Sequence, residues 1–372
     1  MRKWIVVLIA ALTLFSIGGA ALAQDPSAVF CGSLAEADCA ILQQSAAASM
    51  QMSSASAKFE LNVSVAGLFG PTPIVLSVVG DGSYAITDPT ALAGIQNLTS
   101  LTSGNPADMA KAFGPLLKAF SGDLNLTINI PPELAMMAAM QSTGDTPPPQ
   151  IPPSISLGLR MVDGVGYVNL EGVAALDASG QTPKGWIGMD LVKAMEQVMA
   201  SGMGANSTGT ATDAVQNMDA LAKFMKVERL ADTTVDGQPA AVFQTTLDLA
   251  GLLSSPELMQ TMQSQGGSDS ASMQQSMMAA QAFLTGVTAV GTQTITLNDF
   301  YNRAASAEIK IPLDMAALMG GADSSSSGPS QKLDIAITMS TTVADINSAA
   351  PIAAPEGAQM GDPAMMMGSM GS

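Results

Sequence analysis

The sequence contains no histidine, only two cysteines, few aromatic residues (4%) and few charged ones (12%). Without histidine there can be no Ser-His-Asp or Cys-His nucleophile system, no histidine-ligated haem and none of the common zinc sites. The shortage of charge thins the supply of acid and base groups. The composition therefore points away from an enzyme, and no cofactor or metal is expected. Basic residues are also scarce: 14 Lys and Arg stand against 31 Asp and Glu, a formal net charge of −17. That balance argues against nucleic acid and against anionic membrane surfaces as partners. No glycine-rich phosphate loop follows a strand and opens a helix.

Beyond the first residues no apolar run reaches the roughly 20 residues needed to cross a bilayer. The opening, MRKWIVVLIAALTLFSIGGAALAQ, has a basic start (Arg2, Lys3), an apolar stretch from Trp4 to Ile17 and a small-x-small site at Ala21-Leu22-Ala23. It reads as a secretory signal over residues 1–23, cleaved after Ala23. Cleavage removes two basic residues and no acidic one, leaving the secreted chain more negative still. Cys31 follows Phe30 and lies too far down for a lipoprotein signal, so no lipid anchor is expected. In an exported protein the pair Cys31 and Cys39, in CGSLAEADC, is expected to form a structural disulfide. It would pin the N-terminal segment to the start of the first helix.

Alternation of apolar and polar residues dominates the rest of the chain. Residues 34–53 have helical spacing, but in AKFELNVSVAGL the residues Phe59, Leu61, Val63 and Val65 alternate with Lys58, Glu60, Asn62 and Ser64. That is period two, the mark of a strand with one face in and one face wet. PIVLSVVGDGSYAI continues it, with Asp81-Gly82 read as a hairpin turn. GDLNLTINIP alternates at Leu124, Leu126, Ile128 and Ile130. Further hairpins are expected around Asp163-Gly164, around Asp236-Gly237 and near residues 298–302, and a last strand over 331–347. The pattern gives about ten strands, mostly joined as sequential antiparallel hairpins.

Helices are expected over 106–120 (kinked or split by Pro115), 132–141, 189–200, 213–225 and, as a broken pair, 256–284. The proline-rich stretch 142–153 reads as a loop rather than a domain boundary, because the strands on either side need each other. Residues 320–330 read as a flexible loop. Residues 357–372 read as a disordered Met/Gly-rich tail.

Three phrases carry a family resemblance: ILQQSAAASMQMSSASAKFELNVSVAG, a helix running into a first strand; MVDGVGYVNLEG with PKGWIGMDL, a hairpin leading to a tryptophan and a new helix; and VERLADTTVDGQPAAVFQTTLDL, two strands about a Val-Asp-Gly turn. They resemble the LolA/LolB and LppX/LprG group of exported lipid and lipoprotein carriers, over roughly residues 34–356. The resemblance implies an α+β fold: a strongly curved antiparallel sheet, an incomplete β-barrel, with helices packed on its concave side. It makes residues 24–356 one half-barrel domain with helical inserts. It also implies an apolar cavity between sheet and helices. The strand positions carried over to its concave face are Phe59, Leu61, Val63, Leu124, Leu126, Ile128, Val242 and Phe243.

The lid of that cavity would be the methionine-bearing helices, with Met136 and Met140 on one and Leu191, Met195, Val198 and Met199 on another. In GWIGMDLVKAMEQVMASGM the apolar residues share one helical face and Asp190, Lys193, Glu196 and Gln197 the other. Methionine is flexible and polarisable and repacks around differently shaped apolar partners. Equally, a chain poor in aromatic residues can fill an ordinary core with its 27 methionines. Thioether copper binding is a third reading, left unsupported by histidine or clustered cysteine. Two functions are compatible with these features. One is an exported, non-enzymatic carrier for a lipid or other apolar molecule, unloaded at a membrane or an acceptor protein. The other is an extracellular or envelope interaction module with a solid core and no cargo.

Overall fold

The computed structural model describes residues 29–67, 70, 72–88, 114–141, 151–174, 184–200, 222–253, 255, 286–314 and 332–361. The expected signal, the helix pair over 256–284, and the loops over 142–150 and 320–330 lie outside them.

The chain enters through helix α1 (Glu36–Met50) and then β1 (Ser54–Ala66) and β2 (Ile74–Ile86). There follow β3 (Phe120–Asn129), α2 (Pro132–Gln141), β4 (Ser154–Val162), β5 (Val165–Asn169), α3 (Glu171–Ala174), β6 (Trp186–Asp190) and α4 (Leu191–Ala200). The remaining elements are β7 (Met225–Arg229), β8 (Thr233–Val235), β9 (Gln238–Leu247), α5 (Leu249–Leu253), β10 (Thr288–Thr296), β11 (Asn302–Asp314), β12 (Lys332–Ala344) and β13 (Gln359–Met360). The strand order is β13-β6-β5-β4-β3-β2-β1-β12-β11-β10-β9-β7, with β8 also on β9. Among the described residues the two ends of this order do not pair with each other, so the sheet is unclosed. The ladders β3–β4, β4–β5, β5–β6, β7–β9, β8–β9, β9–β10 and β10–β11 are antiparallel, and β13–β6 is parallel.

Three of the expected turns sit where the sequence places them: the antiparallel pair β10–β11 reverses over residues 297–301. Asp163-Gly164 (φ 53° and 75°) and Asp236-Gly237 (φ 52° and 77°) adopt the paired left-handed backbone that a two-residue hairpin requires. Asp81-Gly82 does not turn. It lies inside β2, well after that strand begins at Ile74. The glycine there serves close approach: a Cβ on Gly82 would lie 2.4 Å from the Asp123 carbonyl oxygen.

Other boundaries also differ from expectation. Strands β6, β8 and β13, of five, three and two residues, are too short for alternation to announce them. Trp186–Asp190 is strand, so the helix expected from 189 starts at Leu191. Asp190 caps it, its Oδ1 accepting from the Lys193 backbone N–H at 3.0 Å. The stretch 114–119 is helical and includes Pro115, and Phe120 opens β3; residues 106–113 lie outside the described set. Met225 opens β7 and residues 223–224 form a turn, so the helix expected over 213–225 does not extend that far; residues 213–221 lie outside the described set. The tail expected from 357 is strand at its start, with Gln359 opposite Ile187 and Met360 opposite Gly188.

The chain divides into two compact units. One comprises residues 1–50, 60–77 and 215–341, the other 51–59, 78–214 and 342–372. The first has a solid interior. Leu42 of α1 packs with Val227, Ala241, Phe243 and Ile295, and a second cluster joins Leu247, Val287, Ile309, Ile311 and Leu313. Cys31 and Cys39 form the expected disulfide, and Val29 and Phe30 lie against the Phe243 cluster. Arg229 stacks 5.0 Å from the centre of the Phe243 ring and bonds Asp38 at 3.2 Å.

Candidate functional site

The second unit is built differently. Register places Leu124, Leu159, Val168 and Ile187 side by side across β3, β4, β5 and β6, and Gly122, Met161, Gly166 and Met189 in the next row. Side chains alternate across a strand, so these two rows share one face. The row between them carries Asp123, Arg160, Tyr167 and Gly188, and the row beyond Leu124 carries Asn125, Gly158, Asn169 and Trp186, both on the opposite face. One side of this sheet is thus apolar and the other is mixed.

The apolar side holds an open cleft of about 450 Å³. Phe120, Leu124, Leu159, Met161, Val168, Ile187 and Met189 line it, and Leu191 of α4 closes one side. Gly122 and Gly166 put no side chain of their own into their row, and the room they leave is taken by the Phe120 ring and by Leu191. Phe120 stacks on Tyr84 with ring centres 6.1 Å apart. At the rim, Asp123 accepts from the Ser83 backbone N–H at 3.1 Å and from the Ser83 hydroxyl.

Helix α4 is seated at its first turn. The Leu191 N–H donates to the Gly164 carbonyl at 2.9 Å. Leu191 lies over Gly166 and Val192 over Gly164, each where a Cβ would crowd them. The Asp190 carboxyl is held below its ordinary range, chiefly by the Lys193 backbone N–H, with the Lys193 ammonium 3.1 Å away.

Burial separates the units sharply. Among the described residues, every buried apolar side chain larger than alanine belongs to the first unit; in the second they are Ala55, Ala119 and Ala194. The apolar residues lining the cleft are each half-buried. The first unit carries a groove of about 320 Å³, lined mostly by polar residues such as Glu60, Asn62, Thr292 and Glu308.

Of the residues carried over from the family resemblance, the cleft gathers Leu124 and Leu191. Leu126 and Ile128 continue the Leu124 face, half-buried, beyond its lining. Phe59 covers Gly80, where a Cβ would lie 2.3 Å from its ring. Leu61 and Val63 are half-buried in the first unit. Val242 and Phe243 are neighbours on β9 and cannot share a face. Phe243 is fully buried in the first unit's core. Met136 is 62% exposed. Met140 falls on α2 and Met195, Val198 and Met199 on α4; their side chains lie outside the described residues. The methionines that do line the cleft, Met161 and Met189, stand on strands. The alternation Ile155, Leu157, Leu159, Met161 in SISLGLRMV was the signal for the first of them.

No group of three or more Cys, Asp or Glu residues positioned to hold a metal occurs among the described residues. Nor is any described helix long and apolar enough to cross a membrane.

No protein-family model and no curated protein matches this chain. Among solved structures it is similar to the lipoprotein LppX of Mycobacterium tuberculosis, at 10% identity over 84% of this chain and 97% of that one, with a TM-score of 0.27. LprF of Mycobacterium bovis matches at 11% identity over 86% and 96%, TM-score 0.23. A DUF1329 family protein of Desulfovibrio piger matches at 7% identity over 84% and 94%, TM-score 0.20.

Proposed function

We propose that this chain is an exported, non-enzymatic carrier or binding protein for a lipid or other apolar molecule, held in the cleft of the second unit. One observation carries the reading: an apolar sheet face, built from facing rows of four strands, that is left half-buried and lines a cleft of about 450 Å³. Ligand sites commonly enclose about 300–1,000 Å³ and are mostly apolar. An acyl chain laid along the two rows would gain roughly 0.8 kcal/mol per buried CH₂. The rows that face the cleft carry apolar side chains and glycine, and Ser83, Asp123, Arg160 and Tyr167 complete its lining, so affinity would grow with the length of the acyl chain. The disulfide accords with an oxidising compartment and hence with export.

The solid core of the first unit supports the interaction-module reading for that unit alone. The two readings then describe different parts of one chain: a packed unit and a unit with an apolar cleft.

Uptake of pyrene-labelled hexadecanoic acid by the exported protein tests the proposal. Leu159→Trp, which fills the cleft with an indole, is expected to weaken uptake at least about tenfold, a change of ~1.4 kcal/mol. Uptake that is unchanged in this variant would remove the cleft from consideration.

A further inference from the structure

The C-terminal segment touches the second unit's strands at three successive places, first at residues 53–56, where Ser53, Ser54 and Ser56 bond Asp345, Asn347 and Ala349. It leaves β12 through Asp345 and Asn347, both in the left-handed region (φ 50° and 57°). Asn347 donates its N–H to the Ser54 carbonyl of β1 at 2.8 Å. Six residues later, the Ala353 carbonyl accepts from Arg160 of β4 at 3.0 Å. The same guanidinium stacks 5.3 Å from the centre of the Trp186 ring. Gln359 and Met360 then pair in parallel with β6, and the Gly361 N–H donates to the Gly188 carbonyl at 2.8 Å.

Gly188 is where the segment closes on the sheet. A Cβ there would lie 2.8 Å from both the Met360 sulfur and the Tyr167 ring. Only glycine lets Met360 lie against this strand. The strand so held is the far wall of the cleft: Ile187 and Met189 face the cleft, Trp186 and Gly188 face away from it, and Leu191, the first residue of α4, follows directly. Of β6's two edges, β5 holds one and the C-terminal segment the other.

We propose that residues 345–361 are a clasp that holds the cleft's far wall in place and thereby governs how fast cargo leaves. The pairing is two residues long and parallel, with Gln359 and Met360 both exposed, so it can detach without disturbing the first unit's core. Detachment frees the outer edge of β6 and, through Leu191, the seat of α4. The release half of this inference rests on the carrier reading; the mechanical half does not.

The test compares the intact exported protein with two variants: a chain ending at Pro355, and Gly361→Pro, which removes one donor and keeps the tail. Hydrogen exchange of the peptide 186–193 is read without cargo. Transfer of pyrene-labelled hexadecanoic acid to phosphatidylcholine vesicles is read with it. The shortened chain is expected to exchange at β6 and to release the fatty acid about tenfold faster. Gly361→Pro should move both in the same direction, with exchange in β10 and β11 unchanged. Exchange at β6 and release that match the intact chain in both variants would overturn the clasp. If the intact chain takes up no fatty acid, the carrier reading fails and exchange alone decides: faster exchange upholds the hold on the wall, and unchanged exchange overturns it.

Discussion

Leu191 occupies the space that Gly166 leaves empty: a Cβ on Gly166 would lie 3.1 Å from Leu191 Cδ2. This one contact ties the start of α4 to the floor of the cleft. Gly166→Val should therefore unseat the helix, at a cost of about 1–3 kcal/mol for overpacking. Urea unfolding would measure it. A variant as stable as the parent would show that the helix start gives way freely.

The two units make opposite demands on a large apolar residue. Phe243 is fully buried among Leu42, Val227, Ala241 and Ile295. Phe243→Ala is expected to lose about 3–5 kcal/mol of stability, as a cavity opens in a packed core. Met161→Ala, at a half-buried position on the cleft face, should cost less stability but lower fatty-acid affinity. Paired denaturation and uptake measurements on both variants separate support from site.

Much of this was legible in the sequence. Period-two alternation located the long strands, because a half-buried sheet face writes itself into every second residue. Asp-Gly at 163–164 and 236–237 located two hairpins. The same dipeptide at 81–82 misled, since a glycine that lets a neighbouring carbonyl come close looks the same in sequence as one that turns. The disulfide followed from an exported chain with two cysteines.

The site was less legible. Burial of a strand face depends on what lies across it, and nothing local distinguishes Phe243, in a solid core, from Leu124, on an open cleft. The family resemblance puts the adjacent residues 242 and 243 both on the inward face, which alternation along a strand forbids. Methionines on helices drew attention because they cluster in sequence, whereas Met161 and Met189 meet only through the register of β4, β5 and β6.

Removing the disulfide should loosen the first unit. Cys31 and Cys39 close a loop of sequence separation 8, and the chain-entropy account assigns such a loop about 2–3 kcal/mol. Thermal unfolding of Cys31→Ser/Cys39→Ser would check this, with Val29 and Phe30 expected to lose their hold on the Phe243 cluster.

Acid should weaken the β10–β11 turn. Burial pushes the Asp299 carboxyl upward, but bonds from the Thr296 hydroxyl, the Tyr301 N–H and Arg303, whose Nη2 is 2.6 Å away, outweigh it and hold the group below its ordinary range. A carboxyl whose folded pKa is lowered contributes stability that is complete above its unfolded pKa of about 3.9. That contribution disappears as pH falls through the folded value. Asp299→Asn should flatten the pH dependence of stability below about pH 4, measured by unfolding at a series of pH values.

Native mass spectrometry of the exported protein, purified from a bacterial host without detergent and then extracted with solvent, tests the central claim most directly. The expected result is a stoichiometric lipid mass on the native ion, recovered in the extract and reduced in Leu159→Trp. A bare protein mass that stays bare after incubation with mixed lipids would contradict the account, and the half-buried face of β3 to β6 would then need another occupant.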